Sequence, residues 1–266
     1  MITQLFFFLI GLFAGILSGF FGIGGGIVIV PMLILFFHFP QVAANGTSLA
    51  ALLLPVGIFA VLAYHRKKLV DVRGALIIGL GIFIGVIGGS FSALELPAPL
   101  LKRLYGLFLL YIAWDYIDFP FRIHSRPNSV PVNLPDVSKQ SKQSFYCFLA
   151  LGLIAGVMAG LFGIGGGIII VPALISIFKY HYKKAIGTSL MALLLPVGLP
   201  GVLIYFRTGK MEILPALLIG LGLLFGALFG ALVAIDLPSK FIKRIYGVFV
   251  WLTGLNFIFQ IPGLNN

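Results

Sequence analysis

The sequence predicts an all-α polytopic membrane protein built from two inverted-topology repeats of about five helical segments each, with broken or re-entrant Gly-rich first segments. Three observations carry that prediction. Of 266 residues, 60% are hydrophobic and 9% charged, and the mean hydropathy is +1.14, more apolar surface than a soluble domain of this size can bury. The apolar stretches have helix length and lack the alternation over about ten residues that a barrel strand requires. The run Gly22-Ile23-Gly24-Gly25-Gly26 to Val30-Pro31 recurs as Gly163-Ile164-Gly165-Gly166-Gly167 to Val171-Pro172, at an offset of 141 (163 less 22). Duplication of a unit with Gly-interrupted apolar segments points to a transporter whose site lies between the two halves.

The elements follow in order. In the first repeat the apolar segments are Leu5 to Phe21, Ile27 to Phe37, Asn45 to Tyr64, Gly74 to Leu94 and Leu104 to Ile117; in the second they are Phe145 to Phe162, Ile168 to Phe178, Ile186 to Tyr205, Ile213 to Ile235 and Ile245 to Phe259. The third and fourth of each set are long enough to cross, since about 20 residues at about 1.5 Å each span a hydrocarbon core of about 30 Å. The second segment, eleven residues, reaches only about 16 Å by the same arithmetic. With a Gly loop just before it, the first two segments read as a hairpin or broken helix turning near the membrane middle. The N-terminal apolar run has no basic stretch ahead of it and has an internal counterpart, so it reads as part of the fold and not as a cleaved signal.

Domain organisation is predicted as repeat 1 over 1–117, a cytoplasmic linker over 118–144 and repeat 2 over 145–266. The basic residues choose between the two ways of relating the repeats. All 18 Lys and Arg fall between the segments. Inverted repeats place 14 on one face and 4 on the other, whereas parallel repeats would give 8 and 10. The positive-inside rule therefore favours inversion, with the basic face cytoplasmic and both termini outside. The chain reads as a multi-pass protein of a prokaryotic cell (inner) membrane, with the bilayer as its partner. Its net charge of +11 is dispersed over short loops, which excludes nucleic-acid binding and suits anionic lipid.

Candidate site residues come from the Gly loops. Glycine permits backbone angles closed to other residues and lets backbone N–H groups approach a ligand. A short helix starts at each loop, so its first N–H groups lack partners within the helix and its dipole presents partial positive charge. In hydrocarbon those donors call for a partner, and a small anion supplies one. The candidates are Gly24, Gly25 and Gly26, with Gly165, Gly166 and Gly167 opposite them. Asn45, Thr47 and Ser48, with Thr188 and Ser189, add polar groups at the start of the third segments; their hydroxyls serve either as N-caps or as donors to an anion. The glycines at four-residue spacing, Gly11, Gly15 and Gly19 with Gly152, Gly156 and Gly160, read as helix-packing positions. Pro55 and Pro196 read as kinks in the third segments.

Several chemistries are excluded by what is absent. The seven acidic residues lie in loops or near segment ends, so a mid-membrane proton relay or cation cage has no carboxylate. The four His form no ligand pair of useful spacing, and neither metal nor cofactor is expected. No Lys-Ser or Lys-Thr follows the glycines, so the loops are not nucleotide-binding P-loops. An enzyme would need a buried nucleophile, paired carboxylates or a ligand set, and none is seen. Cys147 is the single cysteine, so an intramolecular disulfide is impossible.

The doubled pattern of Ala-Gly, a spaced Gly, Gly-Ile-Gly-Gly-Gly, an aliphatic run ending in Val-Pro, and Gly-Thr-Ser-Leu resembles the sulfite exporter TauE/SafE family of prokaryotic permeases. The resemblance covers Leu5 to Phe259 except the linker. It implies a permease for a small organic or inorganic sulfur oxyanion such as sulfite or a sulfonate, with Gly22 to Gly26, Gly163 to Gly167, Thr47/Ser48 and Thr188/Ser189 at the family's motif positions. The second reading is a passive anion channel lined by the same helix ends.

Overall fold

The structure is a computed structural model that describes residues 2–21, 24–55, 57–123, 142–236 and 240–259. Gly22 of the first Gly motif, Val56 and the linker residues 124–141 lie outside the described residues. The described residues form α1 (Ile2–Phe21), α2 (Gly26–Phe37), α3 (Gln41–Ala51), α4 (Ile58–Arg66), α5 (Val72–Glu95) and α6 (Ala98–Ile123), then α7 (Lys142–Phe162), α8 (Gly167–Ser176), α9 (Tyr182–Leu194), α10 (Leu199–Arg207), α11 (Ile213–Asp236) and α12 (Lys240–Phe259). Each half thus carries six helices in the same order, and α7 to α12 repeat α1 to α6.

One segment differs from the expectation. Thr3–Phe20 and Phe145–Phe162, in the first segment of each repeat, are long and apolar enough to cross a membrane, as are Val72–Glu95 and Ile213–Gly230. Only α2 and α8, of 12 and 10 residues, are short. The third segment is not a continuous span but a pair of helices, α3 with α4 and α9 with α10. Pro55 and Gly57, like Pro196 and Gly198, lie in the breaks. Proline removes a backbone donor and crowds the preceding turn, and glycine lowers helix propensity, so the chain bends there; α9 and α10 meet at 46°. Basic residues also enter terminal helical turns, as Lys102 and Arg103 do in α6.

By Cα packing the chain forms two compact units, one of Met1–Leu96 with Cys147–Leu237 and the other of Pro97–Tyr146 with Pro238–Asn266. Each takes helices from both repeats, so the repeats are units of sequence and not separately packed bodies.

In the first unit, α1 packs on α11 and α5 on α7 through close glycine contacts. A Cβ on Gly11 or Gly15 would lie 2.0 or 2.5 Å from the carbonyl oxygen of Ile219 or Leu223, and one on Gly222, Gly226 or Gly230 would meet that of Phe8, Leu12 or Ile16 within 2.2 Å. The contacting numbers rise together, so α1 and α11 run parallel. The same holds 141 residues away, where Gly81, Gly85 and Gly89 meet the carbonyls of Leu149, Leu153 and Val157 at 2.5, 2.3 and 2.1 Å. Without a hydrophobic drive between helices in lipid, such close approach is what holds them.

The repeats are also tied at their loops by reciprocal bonds. Thr188 Oγ1 accepts the N–H of Asp71 at 3.0 Å, and Thr47 Oγ1 accepts that of Glu212 at 3.0 Å. Each threonine thus satisfies the donor just before, or at the N-cap of, the other repeat's long helix. One tie has an addition without a counterpart. The Asp71 carboxyl accepts the Gly74 N–H at 3.1 Å and the Tyr180 hydroxyl, whereas Phe39 stands 141 residues before Tyr180. Burial, then the bond to Asp71, push the Tyr180 phenol well above the ordinary tyrosine range, so it remains a donor. In the second unit, α6 and α12 run antiparallel: Tyr105 meets Phe257 edge-on at 5.4 Å between ring centroids, while a Cβ on Gly254 would lie 3.2 Å from that of Leu109.

Gly85→Ala should lower the unfolding temperature in detergent by an overpacking cost of about 1 to 3 kcal/mol. Gly88→Ala, three residues on and with nothing within 4 Å of the added carbon, should leave it unchanged or raise it slightly. Tyr180→Phe deletes a donor to a carboxyl group and should cost about 1 to 2 kcal/mol in the same measurement, with Phe39→Tyr giving no matching gain.

Candidate functional site

The two Gly loops have the same backbone. Gly24 and Gly25 adopt φ of +85° and +79°, and Gly165 and Gly166 adopt +78° and +80°. Consecutive left-handed residues are costly for any side chain bearing a Cβ, which is the physical reason for glycine here. Gly25 and Gly166 are the N-caps of α2 and α8, with no side chain capping either helix. The loops meet: a Cβ on Gly26 would lie 2.5 Å from the carbonyl oxygen of Gly163. Gly167, the first residue of α8, is likewise buried.

A cavity within the first compact unit lies against these loops, with about 560 Å³ of space not filled by atoms, open solvent included. Its lining is two-fold in pattern. Gly24 and Gly165, Gly57 and Gly198, Leu49 and Leu190, and Leu52 and Leu193 are pairs at the 141-residue offset, and all eight face it. Ser18 breaks the symmetry, since Ala159 is its counterpart. Ser18 is 2% exposed, and its hydroxyl has no hydrogen-bond partner among the described residues. Among the described residues, no acidic, basic or His side chain lines the space. Backbone dipoles therefore dominate its polarity, with the lining glycines Gly24 and Gly165 each two residues ahead of α2 and α8.

The polar candidates of the third segments stand elsewhere. Asn45, Thr47 and Ser48 are interior residues of α3, and Thr188 and Ser189 of α9, not N-caps; α3 starts after Pro40 and α9 after His181. All five are fully buried. Thr47 and Thr188 hold the loop N–H groups described above. Ser48 Oγ donates to the Gly163 carbonyl at 2.7 Å, and Asn45 Nδ2 donates to that of Leu161 at 2.7 Å while its Oδ1 accepts from Gln41 Nε2 at 3.1 Å. Tyr205 donates to the Gly160 carbonyl at 2.6 Å. These groups satisfy the carbonyls left open where α7 ends, and they brace the second Gly loop from behind.

Of the sequence-derived candidates, the structure brings Gly24 and Gly165 to the cavity wall and sets Gly25 and Gly166 one residue beyond. A side chain on Gly25 would be strained by φ and would approach the Ala14 carbonyl at 3.2 Å, so substitution there perturbs folding. Sequence reasoning passed over Ser18, Gly57 and Gly198. The Pro-Val-Gly repeat carried a signal for the two glycines, and Ser18 was visible as a lone hydroxyl in an apolar span.

The chain is similar to curated proteins along nearly its whole length. It is 28% identical to the probable membrane transporter protein YunE of Bacillus subtilis, over 94% of this chain and 96% of that one. A probable membrane transporter protein of Methanocaldococcus jannaschii is 29% identical over 77% and 72% of the two chains, and YdhB of Bacillus subtilis, likewise named a probable membrane transporter protein, is 26% identical over 92% and 96%. No solved structure matches the chain. The family model for the sulfite exporter TauE/SafE matches residues 7–257, and with its span-length helices, Gly loops and matching relatives the chain belongs to that family of membrane transporters.

Proposed function

We propose that this transporter is a permease for a small organic or inorganic sulfur oxyanion, such as sulfite or a sulfonate, bound near the bilayer midplane between inverted repeats. The single observation that supports this reading best is the cavity lined by Gly24 and Gly165, each two residues ahead of a short helix, with no acidic side chain among the described residues of its wall. Two converging helix ends favour an anion, and the absence of acids removes what a cation would need. The family's description as a sulfite exporter supports sulfur as the anion's centre.

Inversion is supported by helix direction. Helices related by a two-fold axis run parallel when the axis lies along them and antiparallel when it crosses them; α6 and α12, at matching positions of the two repeats, run antiparallel. In the first unit α10 runs against α3, since Tyr205 packs at Gly46 and Leu49 at Gly198, while α9 continues into α10 with a bend of only 46°. Thus α3 and α9, another matched pair, also oppose each other. An axis crossing the helices lies in the membrane plane, which gives inverted repeats and a site shared between them. The basic asymmetry supports an orientation with the His65 to Arg73 loop and the 118–144 linker in the cytoplasm and both termini outside.

In proteoliposomes, sulfite or sulfonate uptake should saturate and show counterflow; unsaturable flux without counterflow would point to a passive channel instead. Gly57→Val should reduce transport at least about tenfold, equivalent to about 1.4 kcal/mol, with stability retained, because a Cβ there has its nearest neighbour at 3.6 Å while the added methyls occupy the cavity. In a Cys147→Ser background in intact cells, an impermeant thiol reagent should label Asn266→Cys and not Ser129→Cys, and the reverse pattern would overturn the orientation.

A further inference from the structure

We infer that the cavity selects a monoanion carrying a short apolar tail, in preference to a bare inorganic dianion, a zwitterion or a dicarboxylate-like organosulfur compound. This rests on the anion-site reading above and narrows its substrate class.

The inference comes from counting charge and polarity around the space. Each helix N-terminus is equivalent to about half a positive charge, so α2 and α8 together offset about one negative charge. Among the described residues, no Lys, Arg or His lines the cavity to offset a second, and no Asp or Glu lines it to pair with an ammonium group. An uncompensated charge in a low-dielectric space is expensive to desolvate. The polar contributions are clustered: Gly24 and Gly165 present the loop backbone, and Ser18, buried and with no hydrogen-bond partner among the described residues, offers its hydroxyl beside them. That set suits one oxyanion headgroup. The rest of the wall is aliphatic, including Leu49, Leu52, Leu190, Leu193 and Val197. Those side chains do nothing for a hydrated sulfite ion and stabilise an alkyl tail as it leaves water.

The test is isothermal titration of the full-length chain in detergent with methane-, ethane- and propanesulfonate, and with taurine, 1,2-ethanedisulfonate, sulfite and propylammonium. Affinity should rise about three- to fourfold with each methylene, following the gain per buried CH₂. Taurine and ethanedisulfonate, which place an ammonium group or a second sulfonate where ethanesulfonate has its terminal hydrogen, should bind at least tenfold more weakly. Ser18→Ala should weaken all the alkanesulfonates about equally, leaving the chain-length slope intact, because it removes a headgroup donor and no tail contact. Affinity that is flat with chain length, or dianions that bind as well as ethanesulfonate, would overturn this inference and leave the anion site standing. Propylammonium binding as tightly as propanesulfonate, or no binding by any sulfur anion, would remove the anion site itself. Unchanged affinity in Ser18→Ala, with a slope still present, would overturn the placement of the headgroup.

Discussion

Backbone hydrogen bonding in a medium without water is the constraint on which the rest of this structure depends. Every N–H and C=O at membrane depth must find a partner inside the protein, and this chain interrupts its helices repeatedly: at two Gly loops and at two Pro-Gly breaks. Each interruption frees backbone groups, and those at the end of α7 are met by Asn45, Ser48 and Tyr205 from the third segments of both repeats. Thr47 and Thr188 do the same for the loops that lead into α11 and α5. The polar residues of a chain with 60% hydrophobic composition are therefore spent mostly on mending the backbone.

Mending across the repeat boundary interlocks the two halves. A threonine in one half bonds the loop of the other, and the long helices α1 and α11, like α5 and α7, are drawn together by rows of glycine. Van der Waals contact falls off steeply with distance, so only near-backbone approach lets helices in lipid hold each other firmly. The consequence for function is that neither repeat builds the cavity alone. Wall residues such as Gly24 and Gly165, or Leu49 and Leu190, come in pairs from the two halves, so a motion that shifts one repeat against the other changes the cavity directly.

The site that results is unusual in having almost no side-chain chemistry. Its polarity resides in helix ends and in a backbone that glycine leaves uncovered, with Ser18 as a lone asymmetric hydroxyl. Fixed dipoles of this kind need no reorganisation when a ligand arrives, and they carry fractional charge where an arginine would carry a whole one.

The sequence by itself determined the solvent, the helical class, the duplication, the Gly loops and a bend at Pro55 and Pro196, because each is a local property: composition, period, or a residue whose backbone angles are unusual. It also separated the glycines at four-residue spacing, which pack, from the consecutive ones, which turn. What it misjudged depends on partners far along the chain. Thr47 and Thr188 read either as N-caps or as donors to an anion because a hydroxyl at an apolar boundary has those local uses; only the folded chain shows them accepting from Glu212 and Asp71 of the other repeat. The third segments read as continuous spans because hydropathy is blind to a break that costs nothing in composition. Which of the polar groups would face the cavity, and that Ser18 and not Thr47 would line its wall, was decided by the interlocking of the repeats, a matter of tertiary packing on which no single segment carries information.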